Sequence, residues 1–400
     1  MGNKLVPEVR FAGFSGEWEE LNADKIFYSV SDKNHSNLPV LSASQEKGMV
    51  YRDEIGIDIK YDEKSTKNYK RVLPGQFVIH LRSFQGGFAF SNIEGITSPA
   101  YTVLDFKNKE KYYSLFWRYV LASYTFIKRL ETVTYGIRDG RSISFSDFST
   151  LKFRVPSYDE QAQIGNLFKK LDDMIAFHQQ ELTTLKQTKQ GFLQKMFPKE
   201  GKSIPEVRFS GYSEEWEEHS WINVVEMSTN MVDPKTREYD EIYHVGPGNI
   251  ESFSGRILDN VQKVKDDNLI SGKFYFDKGD IIYGKINPQL AKYAVAPFEG
   301  LASADTYVLN SKNGIEQGFL YTSLQTRDFY KYSVSVSRRT GMPKINRDEL
   351  NKYKFLAPRE EEQIKIGNFF KQLDDLINLH QRELDALKET KKAFLQKMFV

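Results

Sequence analysis

Glu160-Gln161-Ala162-Gln163-Ile164-Gly165-Asn166-Leu167-Phe168-Lys169-Lys170-Leu171 opens a stretch that runs to Pro198 and is spelled a second time from Glu362 to Val400. At alternating steps of four and three, the first copy gives Ile164, Phe168, Leu171, Ile175, His178, Leu182, Leu185, Lys189, Phe192 and Met196. The second gives Ile366, Phe370, Leu373, Ile377, His380, Leu384, Leu387, Lys391, Phe394 and Met398, the same residue types in the same order. A period near 3.5 held over more than four heptads marks a long helix whose apolar seam needs a partner helix. Each copy is the obvious partner of the other. The pattern predicts helices over 160–196 and 362–398, each about 55 Å long at about 1.5 Å per residue. Asp159-Glu160 and Glu360-Glu361-Glu362 suit the N-terminal ends, and Lys195 and Lys397 the C-terminal ends.

The chain repeats a second motif. Pro7-Glu8-Val9-Arg10-Phe11-Ala12-Gly13-Phe14-Ser15-Gly16-Glu17-Trp18 returns as Pro205-Glu206-Val207-Arg208-Phe209-Ser210-Gly211-Tyr212-Ser213-Glu214-Glu215-Trp216. A spacing near 200 residues lies far beyond solenoid periods, so a whole half has been duplicated. The organisation read from this is a conserved segment over 1–20, a variable region over 21–155, and a central conserved region over 156–218. A second variable region follows over 219–357, and a conserved C-terminal helix over 358–400. Pro156 and Pro358 close the variable regions, because proline continues neither a strand ladder nor a helix interior.

Both variable regions carry β-branched and aromatic runs broken by turn residues, such as Phe77-Val78-Ile79-His80-Leu81 and Asp280-Ile281-Ile282-Tyr283. They read as mostly-β domains with a few helices, for example Tyr112 to Lys128 and Gly318 to Tyr332. A correspondence survives between them: Glu94-Gly95-Ile96 matches Glu299-Gly300-Leu301, and Tyr101-Thr102-Val103-Leu104 matches Thr306-Tyr307-Val308-Leu309. The fold class expected is therefore α+β, with two mostly-β domains separated by two long antiparallel coiled-coil helices in a pseudo-two-fold duplication. In that arrangement Pro7 should lie near Met398.

The chain of 400 residues has no cysteine, which removes disulfides, thiolate metal sites and cysteine nucleophiles. Its net charge of +2 argues against blanket coating of nucleic acid and leaves any DNA or RNA binding to local basic surfaces. No apolar run of transmembrane length and no signal-peptide pattern over Met1 to Arg10 are found, so a cytoplasmic protein is expected.

The half-repeat motif, the two divergent regions and the two near-identical helices opening on Glu160-Gln161 and Glu362-Gln363 resemble, over the whole chain, the specificity subunit of type I restriction-modification systems. The resemblance implies that each divergent region is a target recognition domain reading one half of a bipartite double-stranded DNA site. It implies that the helices space these domains and dock two methyltransferase subunits, with the nuclease and translocase subunits joining later. S-adenosylmethionine would sit on the methyltransferase partner, with no cofactor on this chain. Half-sites one DNA turn apart lie roughly 34 Å from centre to centre, a span within the reach of such helices.

The candidate chemistry is sparse. His178 and His380 occupy a seam position; a register-setting polar residue is favoured over a metal or catalytic role, on the reading that no second ligand type repeats beside them. Lys189 and Lys391 are expected to reach out of the seam along their stems. Asp172-Asp173 and Asp374-Asp375 point about 100° apart as neighbours on a helix, so they read as solvated or partner-facing charge rather than acid and base. Asn287-Pro288-Gln289 reads as a turn, lacking the second proline and aromatic of an adenine-gripping loop. No phosphate loop, metal cluster or nuclease pattern is found, which points to a reader without a catalytic centre. A self-contained methyltransferase or nuclease, or a coiled-coil adaptor that does not read DNA, are the alternatives.

For DNA contact, the first variable region carries 20 Lys and Arg against 14 Asp and Glu. Turn-borne candidates there are Lys67, Lys70 and Arg71, then Arg82 with Ser83, then Arg138 with Arg141. In the second region they are Lys285 with Asn287, then Arg338, Arg339 and Lys344. Arginine and lysine suit guanine and phosphate, and asparagine suits adenine.

Overall fold

The computed structural model describes residues 6–44, 47–55, 63–133, 143–338 and 341–399. It is α+β and divides into two compact units, one of residues 1–177 with 384–400, the other of residues 178–383. Each unit holds one variable region and a portion of each long helix.

In the first unit, β1 (Glu19–Asn22), β2 (Phe27–Val30), β3 (Phe77–Ile79), β4 (Ala89–Phe90), β5 (Thr102–Phe106) and β6 (Lys152–Val155) carry the frame. Strands β2, β5, β3 and β4 form an antiparallel sheet in that order. All three residues of β3 are buried, as expected of a short, continuously apolar run with a strand on either side. The variable region enters and leaves through one ribbon, β1 against β6, with Glu19 opposite Val155.

The second unit repeats this plan with β7 (Glu217–Ser220), β8 (Val225–Met227), β9 (Ile281–Gly284), β10 (Tyr293–Val295), β11 (Thr306–Ser311) and β12 (Lys354–Ala357). Its sheet order is β8-β11-β9-β10, and its entry ribbon pairs Glu217 with Ala357. The units diverge beyond this frame. The second adds a five-stranded sheet in the order Met231–Val232, Lys273–Phe276, Gly300–Ala302, Tyr243–Val245, Gln262–Lys263. Among the described residues the first has instead short two-stranded ribbons, at Leu41–Ser44 with Gly48–Tyr51 and at Lys70–Val72 with Gly95–Thr97.

Two predicted helices are each broken in two. Tyr112 to Lys128 resolves into α1 (Ser114–Val120) and α2 (Tyr124–Leu130), and Gly318 to Tyr332 into α3 (Gln317–Ser323) and α4 (Arg327–Val336). The break has the same cause in both. The Ser123 hydroxyl accepts a hydrogen bond from Phe126 N, and the Thr326 hydroxyl accepts one from Phe329 N. Each caps the start of a new helix where apolar periodicity alone predicts a continuous one.

The long helices run Tyr158–Lys195 and Glu360–Lys397, 38 residues each. Within each unit the two helical portions run antiparallel. In the first, Phe168 stacks on Phe399 at 5.5 Å and Lys391 meets Asp172; in the second, Phe192 packs edge-on to Phe369 at 5.0 Å and Lys189 meets Asp374. Seam residues Ile164, Phe168, Leu171 and Met398 join the first core, and Met196, Ile366 and Phe370 the second. Full burial of Phe168 or Phe370 contributes roughly 1.5–3 kcal/mol.

Gly165 and Gly367, at matching places in the two helices, allow backbone to approach. A Cβ on Gly165 would stand 2.7 Å from Phe116 N, and one on Gly367 3.0 Å from Phe319 N. Gly165→Ala is therefore expected to lower stability by about 1–3 kcal/mol through overpacking, against an alanine preference of about 1 kcal/mol in helices. Gly191→Ala, where a Cβ meets nothing within 4 Å, should do the opposite. Denaturant unfolding of both variants decides it; a gain at Gly165 would mean that α1 yields freely.

Candidate nucleic-acid interface and the helical seam

The repeated motif near each unit's start is a clamp. In the first unit Val9 N donates to Lys397 O at 3.1 Å, which sets the motif beside the end of the second long helix, as the sequence reading expects. Arg10 then donates through Nε and Nη2 to the two carboxylate oxygens of Glu160, at 2.7 and 2.8 Å, at the start of the first long helix. In the second unit Val207 N donates to Lys195 O at 2.9 Å, and Arg208 grips Glu362 at 2.7 Å through both nitrogens. Planar fork geometry matches a carboxylate two-to-two, which explains arginine at both places. Gly13 and Gly211 turn the motif in the left-handed region, at φ of 95° and 93°. Trp18 and Trp216 fill the two cores, edge-on to Phe116 and Phe319.

The glutamine after each clamp glutamate is a staple. Gln161 Oε1 accepts from Tyr113 N at 2.9 Å, and its Nε2 donates to Lys111 O and Pro156 O at 3.0 Å each. Gln363 does the same with Glu316 N, Gly314 O and Pro358 O at 2.9, 3.0 and 2.8 Å. Both glutamines are buried, so each fixes its variable region to the helix below. The motifs that carry the resemblance are thus structural.

The candidate DNA contacts fare unequally. In the first unit Lys67 and Arg82 are exposed. Lys70 and Arg71 are committed inward: Lys70 Nζ donates to Tyr101 O at 2.6 Å, and burial, with Lys33 nearby, lowers its pKa. Arg71 bonds Glu94 at 2.6 Å and lies 3.5 Å from Asp32, so its charge is neutralised locally. Ser83 is buried, its hydroxyl accepting from His80 N at 2.8 Å, and is withdrawn as a contact. Arg138, Arg141 and Arg339 lie outside the described residues.

In the second unit two candidate segments come together. Ile286 bridges Lys344, Asn287 N donates to Pro343 O at 2.7 Å, and Ile345 N donates to Lys285 O at 2.9 Å. Asn287 sits in the left-handed region at φ 50° and starts the turn Pro288–Leu290, as the sequence reading has it. Ile345 is buried and anchors this edge. Lys285 Nζ lies 5.7 Å from the Tyr307 ring, Lys344 is exposed, and Arg338 is exposed just beyond α4. Lys285, Asn287 and Lys344 therefore stand on one paired edge that can offer cations and an amide to a polyanion.

The seam also differs from expectation. Lys189 and Lys391 do not reach out; they cross to Asp374 and Asp172. Asp172 also accepts from Tyr119 Oη at 2.7 Å, while burial and that bond push the Tyr119 phenol up and keep it a donor. The first aspartate of each pair is a cross-helix anchor, and only the second, Asp173 or Asp375, is solvated, bonding the lysine four residues before it. His178 and His380 meet across the seam, Nδ1 to Nδ1 at 2.9 Å. The reading that no second ligand type stands beside them is corrected by Glu383, whose carboxylate lies 3.3 Å from His178 Nδ1.

Sequence reasoning missed the outward apolar residues of the long helices. Met174 and Phe177 are 47% and 56% exposed, and their counterparts Leu376 and Leu379 are 44% and 43% exposed. Aligning the two helix copies away from the seam would have found them, since both copies carry apolar residues at these matched positions outside the seam.

A family model described as type I restriction modification DNA specificity domain matches residues 16–187 and 214–389. The chain is 32% identical over 180 residues to the type I restriction enzyme EcoDI specificity subunit of Escherichia coli, covering 44% of this chain and 39% of that one. It is 26% identical over 261 residues to the MjaVIII specificity subunit of Methanocaldococcus jannaschii, covering 62% and 61%. The matches thus span less than two thirds of either relative. The solved S subunit of a type I restriction-modification system from M. genitalium has the same fold, with a TM-score of 0.67 over 99% of both chains at 12% identity.

Proposed function

Because the chain belongs to the type I restriction-modification DNA specificity family, we propose that it is a non-catalytic DNA reader whose two variable regions each recognise one half of a bipartite site. The observation that carries this is the contrast inside the duplication: clamp, staple, ribbon and four-stranded sheet are the same in both units, while the remaining sheets and ribbons differ. A constant frame with two different outer surfaces is what reading two different half-sites requires. In this reading the Lys285, Asn287 and Lys344 edge faces DNA in the second unit, and Lys67 and Arg82 do so in the first. The long helices set the distance between half-sites. Met174 with Phe177 and Leu376 with Leu379 dock two methyltransferase subunits, which bring S-adenosylmethionine and flip the target adenine; restriction subunits join that complex. Among the described residues no helix is long and apolar enough to cross a membrane, and the reading places the complex in the cytoplasm.

The test is to sequence methylated adenines in cells carrying the chain with its methyltransferase partner. A bipartite motif is expected. Lys285→Ala with Lys344→Ala should relax or weaken one half-site only, and reduce the salt slope of binding by about 2, one per phosphate-contacting lysine. Methylation without an enriched sequence would overturn the reading, and equal loss of both half-sites would remove this edge from it.

A further inference from the structure

The geometry points to a transition-metal site in the second unit, made by His178, His380 and Glu383, which we propose binds a zinc-class divalent ion. The three candidate ligand atoms form a triangle with edges of 2.9 Å between the two Nδ1 atoms, 3.3 Å from His178 Nδ1 to Glu383 Oε2, and 3.9 Å from His380 Nδ1 to the same oxygen. The point equidistant from the corners of that triangle lies about 2.0 Å from each, near Zn–N and Zn–O bond lengths of about 2.0–2.2 Å, and tetrahedral coordination asks the shortest edge to open and the longest to close by about 0.5 Å each. Two imidazoles with one carboxylate suit zinc, cobalt, nickel or copper, and not the all-oxygen preference of magnesium or calcium.

The setting fits the donor set. The histidines are partly buried on facing helices, so their rings are held by packing, while Glu383 is exposed and opens the site to solvent. Ions can enter there, and water can take a fourth place. His178-Gln179-Gln180-Glu181 and His380-Gln381-Arg382-Glu383 also repeat the same spacing in both helices, each carboxylate one turn beyond its histidine. With ligands from both helices, a bound ion ties the two helical portions of this unit together, and binding adds directly to folding stability.

Titration of the untagged, chelator-stripped full-length chain with cobalt chloride, followed by zinc displacement, tests this. One ion per chain is expected, with visible cobalt absorption that zinc abolishes and a zinc-dependent rise in the melting temperature. His178→Gln or His380→Gln should weaken binding by about 100-fold, roughly one ligand's share of a structural zinc site. Glu383→Gln, on the exposed side and so least disturbing to folding, should weaken it by about 10-fold or more. No cobalt absorption with no zinc-dependent melting shift overturns the site and leaves a plain imidazole hydrogen bond. Affinity unchanged in Glu383→Gln, or equal in wild type and a folded histidine variant, overturns it as well.

Discussion

Glu362→Ala is expected to cost about 3–5 kcal/mol, the loss that follows when one partner of a buried ion pair is removed. The Glu362 side chain is 1% exposed and Arg208 is 11% exposed, so deletion leaves a guanidinium that water barely reaches with the Glu214 carbonyl still bonded but its carboxylate partner gone. That is a large part of the roughly 5–15 kcal/mol that holds a typical domain folded. The loss falls where the motif, the long helix and the variable region meet. Replacing both partners by apolar residues, Arg208→Met with Glu362→Leu, should recover much of the loss, because the pair's attraction is offset by the cost of desolvating it. Glu218→Ala is the control: Glu218 pairs with Lys354 at 2.7 Å with both side chains more than half exposed, and should cost about 0–1 kcal/mol. Urea unfolding of the four chains measures these differences. Equal losses in Glu362→Ala and Glu218→Ala would show that the clamp is decorative.

Asp374→Ala is expected to destabilise by about 3 kcal/mol, since it leaves the Lys189 ammonium without its partner in a seam where Lys189 is 9% exposed. Burial pushes the Asp374 carboxyl above its ordinary value, with Lys189 drawing it back. The folded carboxyl thus keeps its proton to higher pH than the unfolded one. The sign follows: this group adds stability as pH falls through the raised folded value, and its contribution declines as pH rises from the unfolded value through the folded one. Acid unfolding must therefore begin elsewhere. The counterpart Asp172 and Lys391 pair is more open, at 24% and 27% exposure, so Lys391→Met should cost about 1 kcal/mol. Thermal melts of Asp374→Ala and Lys391→Met at two pH values compare the sites; a larger loss at Lys391 would reverse the ranking by burial.

Long helices are legible because their signal is long: ten matched seam types repeated across two copies outweigh any local preference. The seam's polar residues are only half legible. Lysine at an apolar position looks the same whether it reaches solvent or crosses to an aspartate, and the choice depends on what the facing helix offers. Short helices are misread at Ser123 and Thr326, where one hydroxyl competes for a backbone N–H and ends a pattern that hydrophobicity alone continues. Among candidate DNA contacts, charge and turn chemistry name Lys70 and Arg71 alongside Lys285 and Lys344, and nothing in the letters separates a lysine bonded to Tyr101 O from one facing water.

By itself the amino-acid sequence determined the duplication, the two helices and their seam, and the presence of a variable β-rich region in each half, because periodicity and repetition are properties of the chain's order. The tertiary structure alone decided that the repeated Arg, Glu and Gln are clamp and staple, that Asp172 and Asp374 cross the seam, and that Glu383 joins two histidines. Those facts depend on residues far apart in the chain meeting at bonding distance, and such meetings are set by packing in three dimensions.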